Sequence, residues 1–406
     1  MAQSLTQAGR HYKNKENNMN AFHASSSALS LFSSAFNYAV SQQHGVTLWA
    51  QPGSENFHLI IDRHPNLQKQ KTSWHNGDKG FVLHSFLDKA GEQSLLLKPD
   101  LLFQLHALSS DQTKQLNDYT SAEHIDFPFH VLESIDFSEE EQEQSDYTCK
   151  VEHLLEELKT GAVKKVVLAR NKKYPYPIEK SPVEAVVALR KAYPNAFIAV
   201  AYHPAVGCWV GASPELLASS NEQDVFRTIA LAGTQVYDPH KSLRDHTWNN
   251  KEIEEQAFVS RYIVNCFKTI RHREYEEEGP KNYLSGNLVH LCTSYKIDAG
   301  ALGIDNLPDQ LLPLLHPTSA TCGTPKDKAT ELILQYEKSP RELYTGFWGP
   351  LNIEGKSSVY VNLRSAQWFA NGYNAHAGAG ITADSIPSNE WVETERKLEA
   401  IRKIWN

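Results

Sequence analysis

The sequence has no run of about 18 apolar residues, which is the length that a membrane-spanning helix needs. Its N-terminus also lacks the basic segment followed by an apolar one that marks a secretory signal. The five cysteines are odd in number, are scattered and form no Cys-x-x-Cys pair, so neither a disulfide framework nor a zinc site is expected. These absences predict a cytoplasmic protein with reduced thiols and no membrane partner.

Basic tracts are missing as well. The chain carries 40 Lys and Arg against 48 Asp and Glu, a net charge of −8, which argues against a nucleic-acid partner. No internal repeat or low-complexity block stands out. The 406 residues are enough for a large core in one or two domains. Strand-like and helix-like segments are mixed without steady β–α–β alternation, which predicts an α+β fold.

The chain divides into three parts by composition. Residues 1–20 are polar and aperiodic, which predicts a flexible tail. Residues 21–145 contain a helical apolar pattern at Leu29, Phe32, Phe36 and Val40, followed by short strand-like runs. This half ends in the acidic run SEEEQEQS (138–145), which is typical of a solvated segment and is the candidate boundary. Residues 146–406 form the second part, in which the motifs below occur.

One C-terminal stretch combines several groups that bind anions and metals. Val359–Arg364 alternates like a strand, and Gly378-Ala379-Gly380 is bare backbone that predicts an anion-binding nest. The helix introduced by Ser388 carries three charged residues on one stripe, which are Glu390, Glu393 and Lys397. An arginine, a nest, two carboxylates and a lysine together are suited to a metal ion and a small anionic substrate.

A second acidic pair lies on a long helix predicted from about His246 to Arg271. Glu252 and Glu255 share one face of it at i, i+3. Such a pair is most often a solvated helix face. Two pairs on two helices are more informative, because hard oxygen ligands from facing helices suit Mg²⁺.

Two titratable residues border apolar segments. Lys165 begins the β-branched run KVVLAR (165–170); a buried lysine there is a possible general base, and a snorkelling strand-end lysine is the ordinary alternative. The neighbouring Lys164 is the other candidate for burial. Glu215 follows a Ser-Pro turn and enters an apolar element, where burial would suit it as a general acid. His290 has apolar neighbours and is more typical of a hydrogen-bonded core histidine.

The second half resembles the chorismate-utilising enzymes, and among them the isochorismate synthases. The matching motifs occur in family order over about 250 residues. They are KVVLAR (165–170), GASPELL (211–217), LAGT (231–234), KEIEEQ (251–256), VHLCT (289–293), HPTSATCGTP (316–325), YTGFWG (344–349), LRSA (363–366), AGAGITADS (377–385) and EWVETERK (390–397). The resemblance implies the chorismate-binding fold, with large antiparallel sheets flanked by helices.

The resemblance also implies a mechanism. The lysine that matches Lys165 activates a water to attack carbon 2 of chorismate, and the glutamate that matches Glu215 protonates the hydroxyl leaving carbon 4. Glu255 and Glu393 match ligands of Mg²⁺, with Glu252 and Glu390 contacting the ion through water.

Further residues match those that hold the substrate. Arg364 and Tyr344 correspond to residues that bind the enolpyruvyl carboxylate. The other matches surround the substrate and are Lys397, Gly378, Gly380, Gly233, Thr234, His290 and Ala320.

Single positions separate this chain from related activities. Aminodeoxychorismate synthases typically carry a lysine at the position of Ala232, and anthranilate synthases usually have glutamine at the position of Lys165. Both differences argue against these two activities. Salicylate synthases share Lys165 and Glu215 but tend to have threonine at the position of Ala320, where isochorismate synthases have alanine. Because only this position separates them, salicylate synthase remains the alternative, with a non-catalytic chorismate-binding protein as another. Two departures from the family pattern occur, at Gln256, where histidine is frequent, and at Thr321-Cys322, which we expect to affect loop packing. We therefore predict a Mg²⁺-dependent isochorismate synthase without an obligatory protein partner, in menaquinone or siderophore biosynthesis.

Overall fold

The computed structural model describes residues 26–74, 77–88, 90, 92–138, 144–175, 181–286 and 288–405. The predicted tail at 1–20 and the centre of the acidic run, 139–143, lie outside these ranges. The helices are α1 (Ser26–Ser41), α2 (Ser110–Thr120), α3 (Gln144–Lys159), α4 (Pro182–Ala192), α5 (Asn250–Thr269), α6 (Ala299–Leu302), α7 (Leu307–Leu315), α8 (Lys326–Tyr336) and α9 (Pro387–Trp405). Among the described residues, none of the helices has the length and apolar character needed to cross a membrane.

The strands form two large antiparallel sheets. They are β1 (Gly45–Ala50), β2 (His58–Asp62), β3 (Gly80–His84), β4 (Leu95–Leu97), β5 (Leu101–Gln104), β6 (Lys165–Pro175), β7 (Phe197–His203), β8 (Gly207–Ser213), β9 (Leu216–Asn221), β10 (Val225–Val236), β11 (Glu276–Ser285), β12 (Leu288–Asp298), β13 (Gly323–Thr324), β14 (Phe347–Leu351), β15 (Lys356–Val361), β16 (Ser365–Trp368) and β17 (Gly372–Ile381). Within the described ranges, sheet 1 has nine strands in the order β13-β6-β17-β16-β8-β7-β1-β2-β5. Sheet 2 has eight strands in the same ranges, in the order β11-β12-β10-β9-β15-β14-β3-β4. The predicted α+β class is confirmed.

Both halves of the chain contribute to both sheets. Strands β1, β2 and β5 extend sheet 1, and β3 and β4 complete one edge of sheet 2. The boundary proposed near residue 145 therefore does not separate the two sheets, and the division of the chain into these parts stays a prediction.

Apolar side chains join the two sheets face to face. Phe197 of sheet 1 stacks on Tyr360 of sheet 2 with ring centroids 4.3 Å apart and planes 6° from parallel. Trp209 and Trp348 are buried in the same cluster. Because the inner faces are packed in this way, segments that pass between the sheets have fixed positions.

Helix capping follows the sequence closely. The Ser181 hydroxyl accepts from the Glu184 N–H, and the Glu184 carboxylate accepts from the Ser181 N–H, which confirms the capping box of α4. Asn249 and Glu252 form a second box at α5. Since Asn249 is the N-cap, α5 begins at Asn250 rather than near His246 as the apolar pattern predicted.

Two crossings between the sheets lie side by side. The chain leaves sheet 1 after β8 and enters sheet 2 at β9, and it returns from β15 to β16. The crossings bond to each other, because the Val361 N–H donates to the Glu215 carbonyl and the Ala212 N–H donates to the Arg364 carbonyl. The predicted strand over 359–364 is wrong at its end: β15 stops at Val361, and Arg364 has φ +47°. This turn carries the chain into sheet 1.

Candidate active site

Lys165 is the buried member of its lysine pair. It is 1% exposed at the start of β6, whereas Lys164 is exposed. Its Nζ donates to Oε1 of Glu255 on α5, at 2.8 Å. The side chain thus points toward a carboxylate on α5 rather than into solvent, and the snorkelling alternative is excluded.

Glu215 lies in the crossing from β8 to β9 and is 3% exposed. Its Oε1 accepts from the Thr318 hydroxyl at 3.4 Å. Burial raises the pKa of Glu215 to about 8, against smaller lowering effects of Thr318 and of the Lys165 charge. A carboxyl that keeps its proton at neutral pH can act as a general acid. Because the charge of Lys165 affects the pKa of Glu215, the two side chains lie within electrostatic range of each other.

The glycines of β17 present backbone groups on an open strand edge. Gly378 is opposite Ala169 and Gly380 is opposite Val167. Both β6 residues direct their N–H groups to the other side, Ala169 to Glu337 and Val167 to the Cys322 carbonyl. In an antiparallel ladder, two residues that face each other either bond to each other or both direct their backbone groups outward. The N–H and C=O groups of Gly378 and Gly380 therefore point away from β6.

The backbone of this edge faces the site, although not as a nest. Both glycines have extended backbones, so the predicted nest, which needs a turn conformation, is wrong. Strand β16 pairs with β17 only as far as Ala375, and the groups of Gly378 and Gly380 lie beyond that point. The Gly378 carbonyl accepts from Nζ of Lys397 at 2.7 Å, which shows that this edge is accessible to side chains.

Lys397 and Tyr344 lie against the same edge. Nζ of Lys397 also donates to Oε1 of Glu393 at 2.8 Å. Burial lowers the pKa of Lys397, but Glu393 and other anionic neighbours raise it above its usual value. Tyr344 is buried and stacks on His376, and a methyl group placed on Gly378 would lie 3.4 Å from its hydroxyl. A protonated amine and a hydroxyl therefore meet at Gly378.

Arg364 is held by a chain of hydrogen bonds that ends at β10. Its Nη2 lies 3.1 Å from Nε2 of His290, and Nδ1 of His290 lies 3.0 Å from the Gly233 carbonyl and 3.2 Å from the Thr234 hydroxyl. Burial and the Arg364 charge lower the pKa of His290 to about 3. The neutral ring donates from Nδ1 and accepts from Arg364, so His290 orients the guanidinium. Ser285 accepts a further bond from Nη1 at 2.8 Å.

The four predicted metal ligands are each engaged by polar groups. Lys165 bonds Glu255, Lys397 bonds Glu393, and Lys251 bonds Glu390 at 3.2 Å. Glu252 accepts from the Asn249 N–H and the Gln235 amide. Within the described ranges, no group of three or more His, Cys, Asp or Glu residues has a metal-binding arrangement.

Lysine side chains lie close to these carboxylates. Glu390 is 1% exposed and is paired with Lys251. Burial tends to raise the pKa of Glu255, but Lys165, Lys397 and Lys251 together lower it below its usual value. Lysines on three elements thus neutralise carboxylates on α5 and α9.

The two departures from the family pattern affect packing. Gln256 is buried and its amide nitrogen donates to the Ala230 carbonyl and the Thr293 hydroxyl. Cys322 is buried between β6 and α8, and the five cysteines are free thiols. Ala320 is half-buried two residues after Thr318, in the loop that contacts Glu215.

Sequence reasoning missed two groups. Lys251 precedes Glu255 by one helical turn, a spacing that marks it as a neighbour of the site, yet it was not selected. Glu337 and Arg341 form a buried ion pair beside β6. Ser339-Pro340 lies between them and interrupts any helical pattern, so the sequence does not predict that the two side chains meet. Only the tertiary structure brings them to the site.

These observations define a class of protein. A buried, protonated carboxyl, an amine within its field and a bordering set of cationic side chains are the parts of an acid–base site for a small anionic molecule. The chain belongs to the chorismate-binding enzymes: the family described as "Chorismate binding enzyme" matches residues 10–405.

Individual relatives agree with this assignment. Isochorismate synthase EntC of Escherichia coli K12 is 30% identical over 204 residues, which cover 49% of this chain and 51% of EntC. The matched region thus spans about half the length of that relative. A salicylate synthase of Mycolicibacterium paratuberculosis is 28% identical over 276 residues, covering 63% of this chain and 57% of the relative. The structure of MenF, the menaquinone-specific isochorismate synthase of Escherichia coli, superposes with a TM-score of 0.72 at 21% identity over 91% of both chains, which shows the fold.

Proposed function

We propose that this protein converts chorismate to isochorismate. The observation that carries the proposal is the Glu215 carboxyl, buried with a pKa of about 8 and within the field of the buried Lys165. Relatives named isochorismate synthase support the same activity. A hydroxyl is a poor leaving group, and a carboxyl that is still protonated near neutral pH can donate the proton that its departure needs.

The reaction requires one proton to be taken and one to be given. The neutral form of Lys165 accepts a proton from water while the water oxygen bonds to carbon 2 of the ring. The ring double bonds shift, the bond from carbon 4 to its hydroxyl oxygen breaks, and Glu215 protonates that oxygen so that it leaves as water. Proton exchange with solvent then returns both side chains to their starting states.

Cationic and hydrogen-bonding groups orient the substrate. Arg364, fixed by His290, and the Tyr344 hydroxyl bind the enolpyruvyl carboxylate in this proposal. The remaining contacts come from side chains and backbone around the ring, namely Lys397, Gly378, Gly380, Gly233, Thr234 and Ala320. Two substrate carboxylates would thus meet separate positive groups, which fixes the ring between Lys165 and Glu215.

The carboxylates on α5 and α9 fit a magnesium ion. Glu255 and Glu393 would hold it, with Glu252 and Glu390 contacting it through water. Mg²⁺ commonly uses only one or two protein carboxylates and completes its shell with water and substrate oxygens, so a denser ligand cluster is not required. When bound, the ion neutralises negative charge on the substrate carboxylate.

Purified protein incubated with chorismate, with and without Mg²⁺, tests the proposal when products are separated by chromatography. Isochorismate as the main, magnesium-dependent product is the expected result. Salicylate with pyruvate would instead assign the alternative activity, for which the salicylate synthase relative is the supporting observation. Chorismate that stabilises the protein thermally but is not turned over would identify a non-catalytic binding protein.

We further propose that the enzyme works in the cytoplasm without an obligatory protein partner. The candidate acid and base come from the same chain, which supports activity without a second subunit, and the five free thiols support a reducing compartment such as the cytoplasm. Activity of the isolated chain on chorismate is the direct test. Both menaquinone and siderophore biosynthesis are compatible with the product.

A further inference from the structure

A buried ion pair lies behind the strand that carries Lys165. Arg341 and Glu337 bond through two parallel contacts, Nε to Oε2 at 2.8 Å and Nη2 to Oε1 at 2.5 Å. Their side chains are 3% and 7% exposed. Removing both charges from water is costly, and such a pair is stable only when its remaining donors and acceptors are also bonded. Here the partners of those remaining groups belong to three segments of the candidate site.

The pair replaces a missing strand along β6. The short β13 pairs with β6 only at Lys165 and Val166. Beyond that point, Nη2 of Arg341 donates to the Val167 carbonyl at 2.7 Å, and Oε1 of Glu337 accepts from the Ala169 N–H at 2.8 Å. The β6 backbone from the Val167 carbonyl to the Ala169 N–H is thus bonded on this edge by side chains rather than by a neighbouring strand.

The same guanidinium bonds to two other segments of the site. Nη1 of Arg341 donates to the Thr321 carbonyl at 2.7 Å, in the loop whose Thr318 contacts Glu215. It also donates to the Thr345 hydroxyl at 3.2 Å, next to Tyr344. One planar group therefore touches the segment of the base, the segment that contacts the acid, and the segment of a substrate-binding residue.

We propose that Arg341, held by Glu337, is a positioning residue that sets the separation of Lys165 from Glu215. This inference rests on the proposed acid–base function. An arginine suits the task because its rigid fork makes five directed N–H bonds, which a lysine cannot reproduce. Small errors in the placement of reacting groups reduce rates strongly, by roughly 100-fold for about 1 Å.

Arg341→Lys tests the inference, because it retains the charge and removes the fork. We expect kcat for isochorismate formation to fall about 100-fold while KM for chorismate changes less than about threefold. We also expect the basic limb of the kcat profile to shift toward lower pH, since a loosened loop admits water to Glu215. A purely structural role would leave kcat and that limb unchanged.

Arg190→Lys is the matched control. Arg190 is also a buried arginine, and it donates to the carbonyls of Ala50, Pro194 and Ala196, none of which is a residue of the candidate site. This variant should lose thermal stability as Arg341→Lys does, but keep the wild-type kcat. Equal stability losses with an unchanged kcat in Arg341→Lys would overturn the inference.

A milder variant covers the case in which Arg341→Lys does not fold. Glu337→Gln keeps the shape of the side chain and one acceptor oxygen, and we expect it to lower kcat in the same direction by about 10-fold or more. A folded Glu337→Gln with wild-type kcat would overturn the inference. Wild-type protein in the same assay separates this outcome from a failure of the proposed function, because an inactive wild type would refute the function itself.

Discussion

The Nζ of Lys165 lies 2.8 Å from Oε1 of Glu255, so the proposed base is paired with a proposed metal ligand. Lys165 lies on β6 of sheet 1, and Glu255 lies on α5, whose apolar residues Val259 and Ile263 pack in one cluster with β10 of sheet 2. A neutral amine can keep donating to Glu255 through one N–H while its lone pair accepts the proton of the water that is to be activated. Lys165 and the carboxylates therefore have to be considered as one charged system.

Replacing Lys165 by methionine should abolish water addition. The substitution keeps an unbranched side chain, one atom shorter, and removes the amine, so we expect turnover of chorismate to fall by at least about 100-fold. Chorismate should still bind, as measured by calorimetry, because Arg364 and Lys397 remain. Lys164→Met is the control, since that neighbour is exposed and should tolerate the change. Near-normal turnover in Lys165→Met would mean that another group is the base.

The buried Glu215 should determine how the rate depends on pH. Its carboxyl has to be protonated to act as an acid, and its pKa is raised by burial to about 8. We expect kcat/KM to decline above about pH 8 and Glu215→Gln to be nearly inactive at every pH. A profile that declined near pH 5 would indicate that this carboxyl is ionised in the free enzyme and is not the acid.

The same carboxyl should make folding stability depend on pH. The folded state keeps the proton up to about pH 8, whereas an ordinary glutamate loses it near 4.5. The folded state thus binds more protons between these values, and the free energy of unfolding should decrease there as pH rises, by at most about 1.4 kcal/mol per pH unit. Urea unfolding of the wild type and of Glu215→Gln at pH 5 and pH 8 measures this decrease. The free energy of unfolding should fall less between these two pH values in Glu215→Gln, because the variant lacks the carboxyl.

Local patterns were sufficient to predict much of this molecule. The capping box at Ser181 depends on four adjacent residues, and the apolar spacing that begins at Leu29 depends on one helix face. Both of these signals are contained in a short window of sequence. The position of Lys165 and Glu215 next to apolar runs only raised burial as one interpretation, with a snorkelling Lys165 as the alternative, and the structure shows that both side chains are buried.

The features that were missed depend on contacts between distant segments. The pairing of Gly378 and Gly380 with β6 decides where their backbone groups point, and ladder register is not encoded in the glycine motif itself. The end of β15 follows from a crossing between sheets that no local pattern reveals. Arg341 and Glu337 acquire their role only from β6, about 170 residues earlier, in the Arg341–Val167 and Glu337–Ala169 bonds.

Lys251 should oppose metal binding. Its ammonium bonds the buried Glu390 and interacts electrostatically with Glu393 and Glu255. The lysine thus places a positive charge beside the same carboxylates that a bound magnesium ion would neutralise. We expect Lys251→Gln to bind Mg²⁺ about threefold to fivefold more tightly in calorimetry, a modest change because the lysine is about half exposed.

A surface lysine provides the comparison for Lys251. Lys328→Gln also removes one lysine from a Lys–Glu pair, on α8 with Glu331, and should leave magnesium affinity unchanged. Weaker binding by Lys251→Gln would mean that the lysine supports the site instead of competing with the ion. If the wild type itself bound no magnesium, the metal assignment would fail before the lysine was tested.

The placement of Gly380 can be tested by adding a single methyl group. In Gly380→Ala the new Cβ would lie 2.8 Å from Cε and 3.4 Å from Nζ of Lys165, and 3.5 Å from Oε1 of Glu255. The end of a lysine side chain moves at little cost, and the glycine backbone here is extended, so the melting temperature should change by only a few degrees. Displacing the amine should nevertheless reduce kcat by about 10-fold to 100-fold. A variant with wild-type kcat would show that Lys165 does not act from its position beside β17, whereas a large loss of stability would show that the strand itself cannot accept the methyl group.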